Sequence, residues 1–205
     1  MIKRAKFIAL VGGEGSGKGT ISSHLQAVLQ SENVMFTREP GGTELGEKIR
    51  TLLLRENMST MTELLLFEAS RAEHIERVIV PALIVGRHVI SDRFDACTYA
   101  YQVYARWQKK HADFFKLVNS EVVGKFAPDL YLFCDVSPEV ALNRRLTAGG
   151  EITRFDNEEL EFHNAVYRGY KEFLKDRPCI YLDAGLAPEV VKSAAEAAVR
   201  TELGL

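Results

Sequence analysis

The chain is 205 residues long and 46% hydrophobic, with a formal net charge of −2. Such a length buries one sizeable core and is short for two, so a single domain over residues 1–205 is expected. The near-neutral charge gives no bulk attraction to nucleic acid or membrane, and no apolar run reaches the roughly 20 residues of a membrane span, so any anion must be gripped locally.

In chain order, residues 5–11 read as a buried strand around Phe7-Ile8-Ala9-Leu10-Val11. Gly12-Gly13-Glu14-Gly15-Ser16-Gly17-Lys18-Gly19-Thr20 follows, and a helix over 18–30 places Ile21, Leu25, Val28 and Leu29 on one face. Strand, glycine loop and helix in that order make a phosphate-binding P-loop. The glycines let consecutive N–H groups turn inward, and the helix adds its free N–H groups and positive dipole end. Lys18 supplies a cation for the β- and γ-phosphates of a nucleoside triphosphate. Gly19 stands where the strict motif has Ser or Thr, and Thr20 is the next hydroxyl.

A short strand over 34–37 ends at Thr37-Arg38-Glu39-Pro40-Gly41-Gly42. Helices over about 43–55 and 61–85 follow; the first carries Leu45, Ile49, Leu52 and Leu53 on one face, and Pro81 bends the second near its end. Val89-Ile90-Ser91-Asp92 is a short strand, and 97–106 and 113–124 are helical. Residues 130–136 form a continuous apolar run, as a central parallel strand should. Ser137 caps a helix over 138–146 with Pro138 in its first position. Residues 147–157 break the periodicity; helix 157–175, strand 179–183 and helix 188–202 complete the chain. Cys97, Cys134 and Cys179 form no metal-like pairs, which points to a reducing compartment and, for the last two, to core positions. Met1-Ile2-Lys3-Arg4 runs straight into the first strand, so no signal peptide and a cytoplasmic location are expected.

Strands alternating with helices predict a three-layer α/β/α fold around a five-stranded parallel sheet. Ligands gather at the carboxyl ends of such strands, where Glu14, Lys18, Arg38, Glu39, Asp92 and Arg93 lie. The chain has no Asn-Lys-x-Asp stretch to read guanine and no hydrophobic run closing on paired Asp-Glu as in motor ATPases. Arginines at strand ends and in the break between helices suit a second phosphorylated substrate facing ATP. Phe67 and Arg71, four apart, can grip one planar base from its face and its edge. Read alone, they are equally a core aromatic and a solvated helix charge. His24, His74, His88, His111 and His163 show no ligand spacing and receive no role.

Longer stretches say more: Thr37-Arg38-Glu39-Pro40-Gly41-Gly42-Thr43, Leu66-Phe67-Glu68-Ala69-Ser70-Arg71 and Ser91-Asp92-Arg93-Phe94-Asp95-Ala96-Cys97-Thr98-Tyr99-Ala100-Tyr101-Gln102. With Pro128-Asp129-Leu130-Tyr131-Leu132 and the Arg154-Phe155-Asp156 region, they resemble the thymidylate kinases of bacterial type. The resemblance implies transfer of the γ-phosphoryl of ATP to dTMP with Mg²⁺, no nucleic acid or membrane partner, and a homodimer. It implies that Phe67 stacks on thymine, Arg71 hydrogen-bonds the base, Thr98 and Gln102 sit at its edge, and Tyr101 packs beneath the deoxyribose. Arg38 and Arg93 hold the acceptor phosphate, Glu14 lies beside that phosphate, and Glu39 lies on the sugar and metal side. Lys18, Arg93 and Arg154 carry the charge of the transferring group, Arg154 from a lid over about 144–157. The Mg²⁺ ligands are left unassigned.

Three positions depart from the family's pattern: Val11, where an acidic residue is common; Gly19; and Val103-Tyr104-Ala105-Arg106-Trp107-Gln108, in place of a glycine-rich run. They leave open dUMP or a 5-modified relative as acceptor; a P-loop module that binds nucleotide without transferring phosphate is a separate reading, against which Lys18, Arg38, Arg93 and Arg154 together argue.

Overall fold

The structure, a computed structural model, describes residues 5–147, 149, 155 and 158–205. Strand β1 (Phe7–Val11) feeds α1 (Lys18–Val28), and β2 (Val34–Arg38) feeds α2 (Glu44–Arg55). Helix α3 (Thr60–His74) continues through a π-helical turn, Ile75–Ile79, into α4 (Val80–Ile84) and β3 (His88–Asp92). A short α5 (Asp95–Thr98) widens into a π-helical stretch, Tyr99–Arg106, before α6 (Ala112–Val123) and β4 (Leu130–Asp135). Helices α7 (Pro138–Thr147) and α8 (Leu160–Leu174), strand β5 (Cys179–Asp183) and α9 (Pro188–Leu203) complete the order.

The sheet has five strands in the order β2-β3-β1-β4-β5, with all four pairings parallel. This is the expected three-layer arrangement. β1 lies at its centre, and its alternating side chains divide the core. Phe7, Ala9 and Val11 face an aromatic-rich cluster with Phe94, Tyr101, Phe133, Tyr170 and Phe173. Ile8 and Leu10 face an aliphatic cluster with Ile21, Leu25, Val191, Ala195 and Val199 from α1 and α9.

Several local expectations change. The helix expected over 61–85 is interrupted: Val80 N–H donates to Ile75 O, five residues back, just before Pro81. A proline offers no N–H to the α-helical ladder, and the widened turn accommodates it. On α2, Ile49 and Leu53 are buried, whereas Leu45 and Leu52 are 50% and 46% exposed. The helix rests on α3 through a stripe narrower than its sequence suggests. Cys134 is buried as expected, but Cys179 on edge strand β5 is only half-buried; both are free thiols, as is Cys97. Ser137 does cap α7, accepting from Val140 N at 3.4 Å. Of the lid expected over about 144–157, residues 148, 150–154, 156 and 157, Arg154 among them, lie outside the described residues.

Candidate active site

The P-loop links β1 to α1 as its sequence dictates. Gly17 opens the helix at φ 90°. Gly15, at φ 69°, packs so tightly on α7 that a Cβ there would lie 1.9 Å from Ala141 O. Both sites require glycine, one for its backbone and one for its backbone and its size. Tyr170 on α8 fixes the loop from beneath, its hydroxyl donating to Gly12 O at 2.9 Å. Lys18 is buried, and its Nζ donates to Gly13 O at 2.7 Å. Ser16 Oγ donates to the same carbonyl at 2.8 Å. Burial and the nearby Arg93 lower the lysine's pKa, while Glu14 and Asp92 oppose the shift. Thr20, next after Gly19, is exposed.

Beside the loop lies an open cleft at the carboxyl ends of the strands. Glu14, Glu39, Phe67, Arg71, Arg93, Thr98, Tyr101 and Gln102 all line it. Arg38 does not; its Nη2 lies 2.8 Å from Glu47 Oε2 on α2, at the exposed end of β2. Arg93 follows β3 with φ 73°, a left-handed backbone that few non-glycine residues adopt. That turn carries its side chain to the P-loop, where Nη2 lies 2.6 Å from Glu14 Oε1. Tyr101 adds its hydroxyl to Glu14 Oε1 at 3.4 Å, and the Arg93 guanidinium lies 5.8 Å from the Tyr101 ring centroid. Burial, the largest single influence, disfavours the charged Arg93, but Glu14 together with Tyr101, Cys97 and Tyr170 outweighs it and raises the pKa well above that of a free guanidinium.

At the opposite end of the cleft, Arg71 is fully buried between two carboxylates. Nε lies 3.0 Å from Glu39 Oε2 and Nη1 2.5 Å from Glu68 Oε1, while Nη2 donates to Thr98 Oγ1 at 2.7 Å. The solvated-charge reading of Arg71 is therefore wrong, because the guanidinium is sealed inside a network. Burial raises the pKa of Glu68 even though Arg71 pulls it down. Burial likewise raises that of Asp95, which accepts from Tyr131 Oη at 2.8 Å and Asn119 Nδ2 at 3.3 Å. Gln102 turns its amide to Glu63, Nε2 donating to Oε1 at 2.7 Å.

Sequence reasoning passed over His74 and Arg50, and it named Asp92 only by its place at a strand end. His74 is fully buried, with Nδ1 3.0 Å from Glu39 Oε1 and Nε2 2.7 Å from Thr37 Oγ1, so it orients the carboxylate that grips Arg71. Ligand spacing could not reveal it, since its partners lie 35 and 37 residues away. Arg50 lines the cleft and donates through Nη1 to Pro40 O at 3.1 Å. Its signal was a cation beside the buried Ile49–Leu53 stripe. Asp92, at the end of β3, has a buried Oδ1 without a hydrogen-bond partner.

A family model described as Thymidylate kinase matches residues 10–195 of this chain. The chain belongs to the thymidylate kinase family. A thymidylate kinase of Synechococcus sp. (strain JA-3-3Ab) is 43% identical over 187 residues, covering 89% of both chains. One from Hahella chejuensis (strain KCTC 2396) is 40% identical over 203 residues, covering 94% of this chain and 95% of its own. One from Protochlamydia amoebophila (strain UWE25) is 42% identical, covering 84% and 81%. Among the described residues no helix is long and apolar enough to cross a membrane. None brings three His, Cys, Asp or Glu side chains together as a metal cage.

Proposed function

We propose that the protein transfers the γ-phosphoryl group of ATP to dTMP, yielding dTDP and ADP. One observation carries this reading: a single cleft combines an aromatic face (Phe67), a buried guanidinium with a hydroxyl at its edge (Arg71, Thr98) and an arginine turned onto the P-loop (Arg93). Phe67, Arg71 and Thr98 suit a planar base, and Arg93 a phosphate placed against the donor. The names of the relatives agree with it.

The transition state of phosphoryl transfer is loose, so alignment and charge neutralisation suffice. A phosphate oxygen of the acceptor is itself the nucleophile, and no side chain need form a covalent bond. Lys18 exchanges its hold on Gly13 O for the β- and γ-phosphates, with the loop N–H groups around them. Arg93 holds the acceptor phosphate and Glu14 keeps that guanidinium aimed. Tyr101 supports the sugar, Gln102 stands at the base edge, and Glu39 holds Arg71 in place. We place Arg38 at the rim and assign Arg154 to the transferring group on the family resemblance. Mg²⁺ takes few protein ligands and many phosphate oxygens. The orphaned Asp92 Oδ1 fits that demand, directly or through water. The ion would neutralise charge between the β- and γ-phosphates.

We also propose a homodimer built on α2, α3 and α6, which pack side by side and expose Leu45, Leu52, Leu65, Phe114 and Leu117. The reduced cysteines suit work in the cytoplasm.

The test is ADP release with ATP and Mg²⁺, supplying dTMP, dUMP, dCMP, dGMP and AMP in turn. A clear preference for dTMP supports the reading. Preference for another monophosphate would move the base assignment, and ATP binding without turnover on any acceptor would replace the kinase with a binding module.

A further inference from the structure

Arg106 ends the π-helical stretch and does not line the cleft, yet it touches what holds two of the cleft's walls. Its Nη2 lies 2.7 Å from Glu158 Oε1, and its Nε 3.6 Å from Glu63 Oε1. That Nε is buried without a hydrogen-bond partner, so its hold on Glu63 is electrostatic. The guanidinium carbon lies 4.9 Å from the Phe162 ring centroid and 5.8 Å from that of Phe155. Glu63, in turn, accepts the 2.7 Å hydrogen bond that turns Gln102. Phe155 packs edge-on against Tyr101, with centroids 5.8 Å apart.

One cation therefore backs Gln102 through Glu63 and Phe155 through its ring. A salt bridge serving stability alone needs neither the second carboxylate nor a ring that walls the cleft. The planar fork of arginine can meet two acids and two aromatic faces together, which a lysine ammonium cannot. We propose that Arg106 is a positioning residue for the acceptor: it fixes Gln102 and Phe155 and thereby sets the shape of the cleft around base and sugar. The inference rests on the kinase reading and names a residue inside the stretch where the sequence departs from its family.

The experiment is steady-state kinetics with the full chain, varying dTMP at saturating ATP and ATP at saturating dTMP. Arg106→Met keeps the aliphatic stem and removes the fork. It should raise KM for dTMP about tenfold with KM for ATP unchanged, the mark of a misplaced acceptor. Phe155→Leu, with Arg106 intact, should give the same signature. The two together should cost little more than the larger alone, since both act through one wall. Arg106→Lys should recover only part of the loss. If Arg106→Met proves unfolded, Arg106→Met with Glu63→Gln removes the uncompensated buried acid and should fold with the same raised KM. An unchanged KM for dTMP in a folded variant, equal rises in both KM values, or fully multiplicative effects of Arg106→Met and Phe155→Leu would overturn the inference alone. Absence of dTMP turnover in the unsubstituted protein would overturn the kinase reading first and the inference with it.

Discussion

Arg93 Nη2 and Glu14 Oε1 meet at 2.6 Å across a gap of 79 residues, and they join the end of β3 to the P-loop. In the proposed reaction the loop would hold the donor and Arg93 the acceptor, and this contact would set both in one frame, leaving little reorganisation for the chemical step. Replacing Arg93 with Ala should lower kcat by about 10²–10³-fold, the scale for removing one aimed charge-stabilising group. ATP affinity, read by calorimetry, should stay near its original value. A parallel collapse of ATP binding would show that Arg93 serves the loop rather than the transfer.

Gly15→Ala tests how the loop is held. The new methyl group would overlap Ala141 O, a backbone atom that cannot swing aside. The left-handed φ of 69° adds strain. Loss of roughly 2 kcal/mol or more is expected, with weaker ATP binding, both measurable by denaturant titration with and without nucleotide. Wild-type stability would mean that α7 yields more readily than its packing implies.

Arg71→Met strips the cation from between Glu39 and Glu68, both nearly fully buried. Breaking a buried pair by removing one partner costs about 3–5 kcal/mol, because the remaining charge is stranded. Adding Glu68→Gln should restore part of that stability while dTMP binding stays impaired. Urea unfolding and acceptor KM, measured together, separate the two roles.

Metal dependence should be absolute: chelation with EDTA should abolish turnover, and added Mg²⁺ should restore it. Asp92→Asn keeps the size of the side chain and removes its charge, so the Mg²⁺ concentration for half-maximal rate should rise by about tenfold or more. An unshifted Mg²⁺ titration would remove Asp92 from the metal's surroundings.

His88 provides a pH signature away from the chemistry. Burial, then the charge of Lys6, holds its imidazole below the ordinary range, with Asp129 opposing. Its Nδ1 accepts from Lys6 N at 2.9 Å, which needs that nitrogen unprotonated. The unfolded chain therefore binds this proton more tightly than the folded protein. The contribution is complete above about pH 6.5 and is lost as pH falls through the lower folded value. His88→Asn preserves an acceptor and cannot titrate there. Its melting temperature should change less than that of the natural chain between about pH 5 and pH 7.

Much of this could be read from residue order. Continuous apolar strands, a glycine loop after the first and a capped helix after the fourth are local signals, and each fixed an element to within a few residues. The faces of Phe67 and Arg71 were legible because helical spacing is regular. Helical spacing also offers Arg71 its near partner Glu68, but not its distant ones. Glu39 sits 32 residues upstream and Thr98 27 downstream, joined only when β2 and β3 lie side by side. Leu45 and Leu52 misled because amphipathic spacing shows which side of a helix is apolar, and not how much of that side finds a partner. The π-helical stretch Tyr99–Arg106, which packs against α8, carried no local sequence signal that separates it from an α-helix.

The sheet itself sorts the molecule into a working side and a supporting side. Tyr101, Phe155 and Tyr170 belong to the aromatic cluster, while Val191, Ala195, Val199 and Leu203 on α9 fill the aliphatic one behind it. In a library of random variants, damage on α9 would register as fewer folded molecules, each turning over at the natural rate. Damage among the aromatics would also thin the folded population, because Phe94, Phe133 and Tyr170 are core residues, and would in addition alter the acceptor KM of the molecules that fold.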